Sequence, residues 1–117
     1  MNIRIFNSKV SREELVTLAK GGYVDMVKGV VDLRRRIIAL GGELHADAEQ
    51  ALLEQGSKQA DLWGFNIYVD RPQEGRLEYT SMINIRPRQG NLHREVQDLK
   101  LRQQIKEIID QMVAANA

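Results

Sequence analysis

The chain has 117 residues, of which 43% are hydrophobic, 28% charged and 5% aromatic, the composition of an ordinary globular protein. Its formal net charge is +1, too small a positive excess for a protein that binds nucleic acid over its whole surface. It contains no cysteine, which excludes disulfides, thiolate catalysis and thiolate-ligated metals.

No stretch approaches the ~18 consecutive apolar residues of a membrane span. Residues 1–8 also lack the apolar core of a signal peptide. We therefore expect a single domain over residues 1–117, soluble in the cytoplasm and without a membrane partner.

The N-terminal residues predict a strand and then a short helix. Residues 2–6 place Ile3 and Ile5 on one face of the strand. Ser11 and Glu14 have the spacing of a capping box, which begins a helix that runs to Lys20. Gly21-Gly22 then interrupts it, because residues without side chains are costly inside helices.

A second helix is predicted over residues 23–40. Apolar residues recur with a period near 3.6 at Tyr23, Met26, Val27, Val30, Val31, Ile37 and Ile38. Gly29 inside this pattern indicates tight packing, and Gly41-Gly42 ends the helix. The three arginines at 34–36 would fan around the helix, so they do not form one basic patch.

Residues 43–61 fit either a helix or a strand, and we favour a short helix. Asp47 is a good N-cap, Gln50 stands at the capping-box position, and Gly56 is a natural stop. On this prediction the helix occupies residues 48–55.

An antiparallel hairpin is predicted next. Residues 62–69 alternate with Trp63 on the apolar face, and residues 77–86 resume the alternation after a polar turn, with Ile85 on the apolar face and Met82 on the polar one. A Trp at the start of an apolar strand face most often belongs to the core. Pro87 ends the second strand because it cannot donate to a ladder.

A polar loop over 88–97 leads to a last helix capped by Asp98. Its apolar stripe consists of Leu101, Ile105, Ile108 and Met112. The order of elements predicts an α+β fold: a small, mostly antiparallel sheet of about three strands with helices packed on one face. Because such a sheet leaves open edges, we expect a homodimer, with Tyr23, Met26 and the last helix as the first candidates for its interface.

His45, Asp47 and Glu49 carry side chains that could act as an acid–base pair or hold a divalent cation. On a strand all three would share a face, whereas on a helix Asp47 points away from His45 and Glu49. The helix prediction therefore argues against a three-ligand site and favours a cap with a solvated face.

A second polar group consists of Asn84, Arg86, Asn91 and Arg94. Asn and Arg are not the residues that strand packing selects. One hypothesis is a binding site for a carboxylate or phosphate, with Arg86 as the anion contact and the amides that begin the last helix nearby. The other is a hydrogen-bonded rim that fixes the loop, with Arg86 paired to Glu49 or Asp47.

The chain resembles a family of short bacterial and archaeal proteins classified only as a domain of unknown function. The resemblance covers nearly the whole chain, and it rests on the segments 42–47, 56–59, 62–64, 81–87 and 89–91. This chain has Leu99 where the family tends to have Pro, and Leu92-His93-Arg94 where it tends to have Arg-Ser-Arg. The resemblance implies no activity, cofactor or substrate. It does imply one shared polar site, since His45, Asp47, Asn84, Arg86 and Asn91 lie inside its motifs.

The leading functional hypothesis is a non-enzymatic binding module with an anion or protein partner at the 84–94 loop. The first alternative is a small hydrolase or transferase in which His45 acts with Asp47 or Glu49. The second is a weak nucleic-acid binder that uses Arg86, Arg88 and Arg94, which the acidic segment 43–61 disfavours. No GxGxxG, P-loop or HExxH motif is present, and no cofactor or metal is expected.

Overall fold

A computed structural model describes residues 2–114 as one five-stranded antiparallel sheet with three α-helices. The elements are β1 (Ile3–Phe6), α1 (Arg12–Lys20), β2 (Met26–Asp32), β3 (Ile37–Gly41), α2 (His45–Glu54), β4 (Leu62–Tyr68), β5 (Leu77–Glu78) and α3 (Leu99–Met112). The strand order is β1-β3-β2-β4-β5. The α+β class with an antiparallel sheet is confirmed, but the expected number of about three strands is wrong. None of the helices in the described residues is long and apolar enough to cross a bilayer.

The predicted helix over 23–40 is the main error, since these residues form the β2–β3 hairpin. Arg36 turns the chain with a φ of 55°. The Asp32 carboxylate holds this turn by accepting from the backbone N–H groups of Arg34 and Arg35, both at 2.9 Å. Most of the hairpin is buried on both faces, so the alternation that identifies a half-exposed strand is missing.

Helices pack on both faces of the sheet, not on one. Val27 and Val31 of β2 face the cluster that α1 and α3 complete with Leu15, Ile105 and Ile109. Val30, between them, faces the second cluster with Ala48 and Leu52 of α2. The expectation of one covered face is wrong because it treated Val30 and its neighbours as part of a helix.

Tight packing at Gly29 is confirmed, although the residue lies in a strand. A Cβ there would lie 2.4 Å from the Phe65 ring. Phe65 and Trp63 are both buried in the larger core cluster, as predicted for Trp63.

The helix ends test the capping predictions. At α1, Ser11 Oγ accepts from Glu14 N–H and Glu14 Oε1 accepts from Ser11 N–H, each at 3.1 Å. At α3, Asp98 accepts from Lys100 N–H at 2.9 Å. Both caps are confirmed. The cap at Asp47 is wrong, because α2 begins at His45 with Leu44 as its N-cap.

The predicted strand over 77–86 is only two residues long. After β5 the chain folds onto itself as an irregular hairpin over residues 79–96, here called the 79–96 segment. Val96 N–H donates to Tyr79 O at 2.9 Å and Arg86 N–H donates to Asn91 O at 2.7 Å. Two short 3₁₀ turns, Met82–Asn84 and Pro87–Gln89, interrupt it.

Candidate functional site

The 79–96 segment packs along the edge of β4 and completes it with side chains. β5 pairs with β4 only at Asn66 and Ile67. At Gly64, the side chain of Asn84 makes the two hydrogen bonds that the backbone of a neighbouring strand would make. Its Oδ1 accepts from Gly64 N–H at 2.8 Å and its Nδ2 donates to Gly64 O at 3.0 Å. Glycine is required for this approach, because a Cβ at residue 64 would lie 2.5 Å from Ser81 Cβ.

Arg86 is buried beside the same edge, with its guanidinium 4.9 Å from the centre of the Trp63 ring. Its acceptors are Ile83 O for Nε, Gln59 O and Gln89 Oε1 for Nη1, and Leu62 O and Glu49 Oε2 for Nη2. A guanidinium has five N–H donors, so Arg86 has none left for a ligand. Burial lowers the pKa of Arg86, and Glu49, at 3.2 Å, opposes this by stabilising the charged form.

Asn91 closes the far end of the segment. Its Nδ2 donates to the backbone oxygens of Asn84, His93 and Glu95, and its Oδ1 accepts from Gln97 N–H at 2.9 Å. Asn84, Arg86 and Asn91 therefore belong to one hydrogen-bonded unit that fixes the segment, the arrangement expected for a structural rim.

Arg94, the fourth predicted ligand residue, does not join this unit through its side chain. It is exposed, and its backbone oxygen accepts from Ser81 N–H at 3.1 Å. Among the residues that the structure describes, neither Arg94 nor Arg88 has a carboxylate within ion-pair distance. These two cations remain available to a partner.

As the helix prediction indicates, the side chains of His45, Asp47 and Glu49 do not converge on one site. His45 is buried and its Nε2 lies 2.8 Å from Phe65 O, while Glu49 pairs with Arg86 and Asp47 is exposed. Burial is the main cause that lowers the pKa of His45, and the Phe65 carbonyl opposes it. Within residues 2–114, no group of three His, Asp or Glu side chains is placed to hold a metal ion.

A groove of about 510 Å³ lies beside Arg86, between α2 and the two 3₁₀ turns. Its apolar wall is formed by Met82, Ile83, Ile85 and Pro87, and its polar wall by Glu49, Gln59, Arg86, Arg88 and Gln89. We call it the 82–89 groove. Met82 is 64% exposed and Ile85 41%, so large apolar side chains face solvent at its mouth.

Sequence reasoning missed the exposure of Ile85, which it placed on the core face of a strand. Met82 was placed on the polar face of that strand and was not recognised as part of a site. The only local signal was the pair Asn84 and Arg86, which are unusual in a strand. Both side chains cap the edge of β4 by hydrogen-bonding to its backbone, and β4 is distant from them in sequence.

Comparison with known proteins returns one finding. A family model described as "Protein of unknown function (DUF5674)" matches residues 4–112, nearly the whole chain. No curated protein and no solved structure matches this chain significantly.

Proposed function

The chain belongs to the DUF5674 family, and we propose from its geometry that it is a non-enzymatic module that binds a protein partner in the 82–89 groove. The partner segment presents an apolar side chain to Met82 and Ile85. Carboxylates next to that side chain pair with Arg88 and Arg94. The proposal keeps the site at the 84–94 loop, extends it to Met82, and assigns the contacts to exposed side chains.

One observation carries the proposal: buried polar side chains fix a loop that exposes large apolar ones. The hydrogen bonds of Asn84, Arg86 and Asn91 go mainly to backbone groups of β4 and of the 79–96 segment itself. In this arrangement Met82 and Ile85 stay 64% and 41% exposed. Apolar side chains held in solvent by a rigid scaffold are typical of recognition loops.

The charges around the groove select the partner's chemistry. Glu49 belongs to the acidic segment 43–61 and lines the groove. It is paired with Arg86 at 3.2 Å, so it adds no uncompensated negative charge there. Arg88 lines the groove, and the backbone oxygen of Arg94 accepts from the N–H of Ser81, the residue before Met82. Electrostatic complementarity then favours Asp or Glu in the partner.

The alternative hydrolase or transferase gains no support from this geometry. His45 Nε2 is engaged by Phe65 O, and Glu49 is engaged by Arg86. An acid–base pair needs His45 and a carboxylate within about 3 Å of each other at an open site.

A selection from a phage-displayed peptide library tests the proposal. We expect enriched peptides that carry one large apolar residue flanked by Asp or Glu. Their affinity, measured by fluorescence polarisation, should fall at least tenfold, or about 1.4 kcal/mol, for Ile85→Glu and for the double variant Arg88→Gln/Arg94→Gln.

Ile5→Glu is the matched control, because Ile5 is 37% exposed and lies on β1, the opposite edge strand of the sheet. It should leave peptide affinity unchanged. Enrichment of no peptide, or equal losses for Ile5→Glu and Ile85→Glu, would contradict the proposal.

A further inference from the structure

β2 and β3 separate at one end of the sheet and leave a gap. β2 pairs with β4 from its first residue, Met26, but its ladder with β3 ends at Gly29. Gly41 and Gly42, with φ of 104° and 87°, turn the chain away from β2. A side chain could not follow this path, since a Cβ at Gly41 would lie 2.1 Å from Asn2 O.

A cavity of about 480 Å³ occupies this gap, a volume typical of small-molecule sites. The last turn of α1, Gly21-Gly22 and Gly42 form its sides, and Met26 and Lys28 of β2 contribute to its lining. It shares no lining residue with the 82–89 groove. The cavity is therefore a separate site from the proposed protein-binding groove.

Lys28 gives the cavity one uncompensated positive charge. Its Nζ lies 5.2 Å from the centre of the Tyr23 ring, and in the described part of the chain it forms no ion pair. The other cation in the lining, Arg4, pairs with Glu14 at 3.2 Å. The Tyr23 hydroxyl is occupied, since it donates to Glu43 O at 2.8 Å.

The remaining side walls are largely apolar and include Leu18, Met26, Val27 and the Tyr23 ring. An ammonium group among apolar walls matches a ligand with one anionic group on a compact apolar body. We propose that this cavity is a binding site for a small monocarboxylate with an apolar body, whose carboxylate pairs with Lys28.

The backbone between two lining residues, Tyr23 and Met26, supports this assignment. Val24 has a φ of 75° and is 69% exposed, a conformation that β-branched residues rarely adopt. Its N–H donates to Ala19 O at 2.7 Å, which ties it to α1 and places the adjacent Tyr23 at the cavity. Backbone strain of this kind is concentrated at ligand sites.

Titrations of the ¹⁵N-labelled chain, followed by ¹H–¹⁵N NMR, test the site with benzoate, benzamide and inorganic phosphate. We expect benzoate to shift the amides of Gly21, Gly22, Gly41 and Gly42, with a Kd of about 1 mM. Benzamide, which keeps the shape but lacks the charge, should bind at least about tenfold more weakly. Phosphate should also bind more weakly, because it has no apolar body.

Three variants separate the charge from the cavity. Lys28→Met, which keeps an unbranched side chain over Tyr23, should weaken benzoate at least about tenfold and leave benzamide unchanged. Lys58→Met, an exposed lysine outside the cavity, is the matched control. Thr17→Phe, in the lining on the exposed side of α1, should weaken both probes by filling the space.

The proposal is overturned by equal affinity for benzoate and benzamide, by tighter binding of phosphate, or by shifts outside the cavity. The probe comparison uses the unchanged protein, so it decides the matter even if a variant fails to fold.

Discussion

Arg86 Nη2 donates to the backbone oxygen of Leu62 at 2.6 Å, at the position where a neighbouring strand would donate an N–H. Two residues further along β4, Asn84 does the same for Gly64 with two bonds. Side chains thus replace a ladder along this part of the edge. Unpaired backbone groups at a sheet edge invite pairing with other chains, so this arrangement both protects β4 and fixes the 82–89 groove.

Arg86→Met should destabilise the fold by about 3–5 kcal/mol, the usual cost of breaking a buried ion pair from one side. The reason is that Glu49 and the backbone oxygens of Leu62 and Gln59 would lose the donor that Arg86 now supplies. Urea unfolding measures it. Arg88→Met, an exposed arginine of the same loop, should change stability by less than about 0.5 kcal/mol; similar losses for both variants would contradict the capping role.

Gly64→Ala should cost about 1–3 kcal/mol through overpacking, because its Cβ would lie 2.5 Å from Ser81 Cβ and 3.2 Å from Ile83 Cγ1. Gly21→Ala is the control, since the nearest atoms there lie at 3.7 Å. A double-mutant cycle with Ser81→Gly should show favourable coupling between residues 64 and 81. Additive losses in thermal unfolding would contradict a direct steric contact.

The elements that the sequence predicted correctly are those with local signals. Ser11 and Glu14, three residues apart, form a capping box, and Asp98 caps the helix that it precedes. The β2–β3 hairpin lacks such a signal, because residues such as Val30 and Val31 are buried on opposite faces. A continuous apolar run fits helix and buried strand equally well until its neighbours are known.

The candidate site was located by residue type but not by role. Asn84 and Arg86 are conspicuous because strand packing does not select them. Their partners, Gly64 and Leu62, lie 20 and 24 residues away and carry no side-chain signal for such bonds. Only the tertiary structure distinguishes an arginine that binds a ligand from one that caps a sheet edge.

Asn91→Asp should open the 79–96 segment without unfolding the sheet. The new carboxylate would face the oxygens of Asn84, His93 and Glu95, which now accept from Asn91 Nδ2. Tryptic cleavage after Arg88 and Arg94 should accelerate, because proteolysis follows the population of the locally opened state. Mass spectrometry of the fragments measures the rate. Asn7→Asp, at an exposed position before α1, should leave it unchanged, and equal cleavage rates for the two variants would contradict the prediction.

We expect His45 to make folding stability depend on pH near neutrality. Burial lowers its pKa in the folded chain below the ordinary value of 6.5, so the unfolded chain binds more protons at this residue. The stabilising contribution is therefore complete above about pH 6.5 and is lost as the pH falls from there toward the lowered folded pKa. His45→Gln keeps a donor for Phe65 O but does not titrate, so its stability should not show this decline.

Urea unfolding between pH 7.5 and about 5.5 measures this effect, above the range in which most carboxylates titrate. Lys28 is the charged group that acts on His45, and its positive charge adds to the lowering of the His45 pKa. The control is His93→Gln, since His93 is exposed in the loop, and it should decline with pH as the unchanged protein does. An equal decline in His45→Gln would show that another group governs the pH dependence.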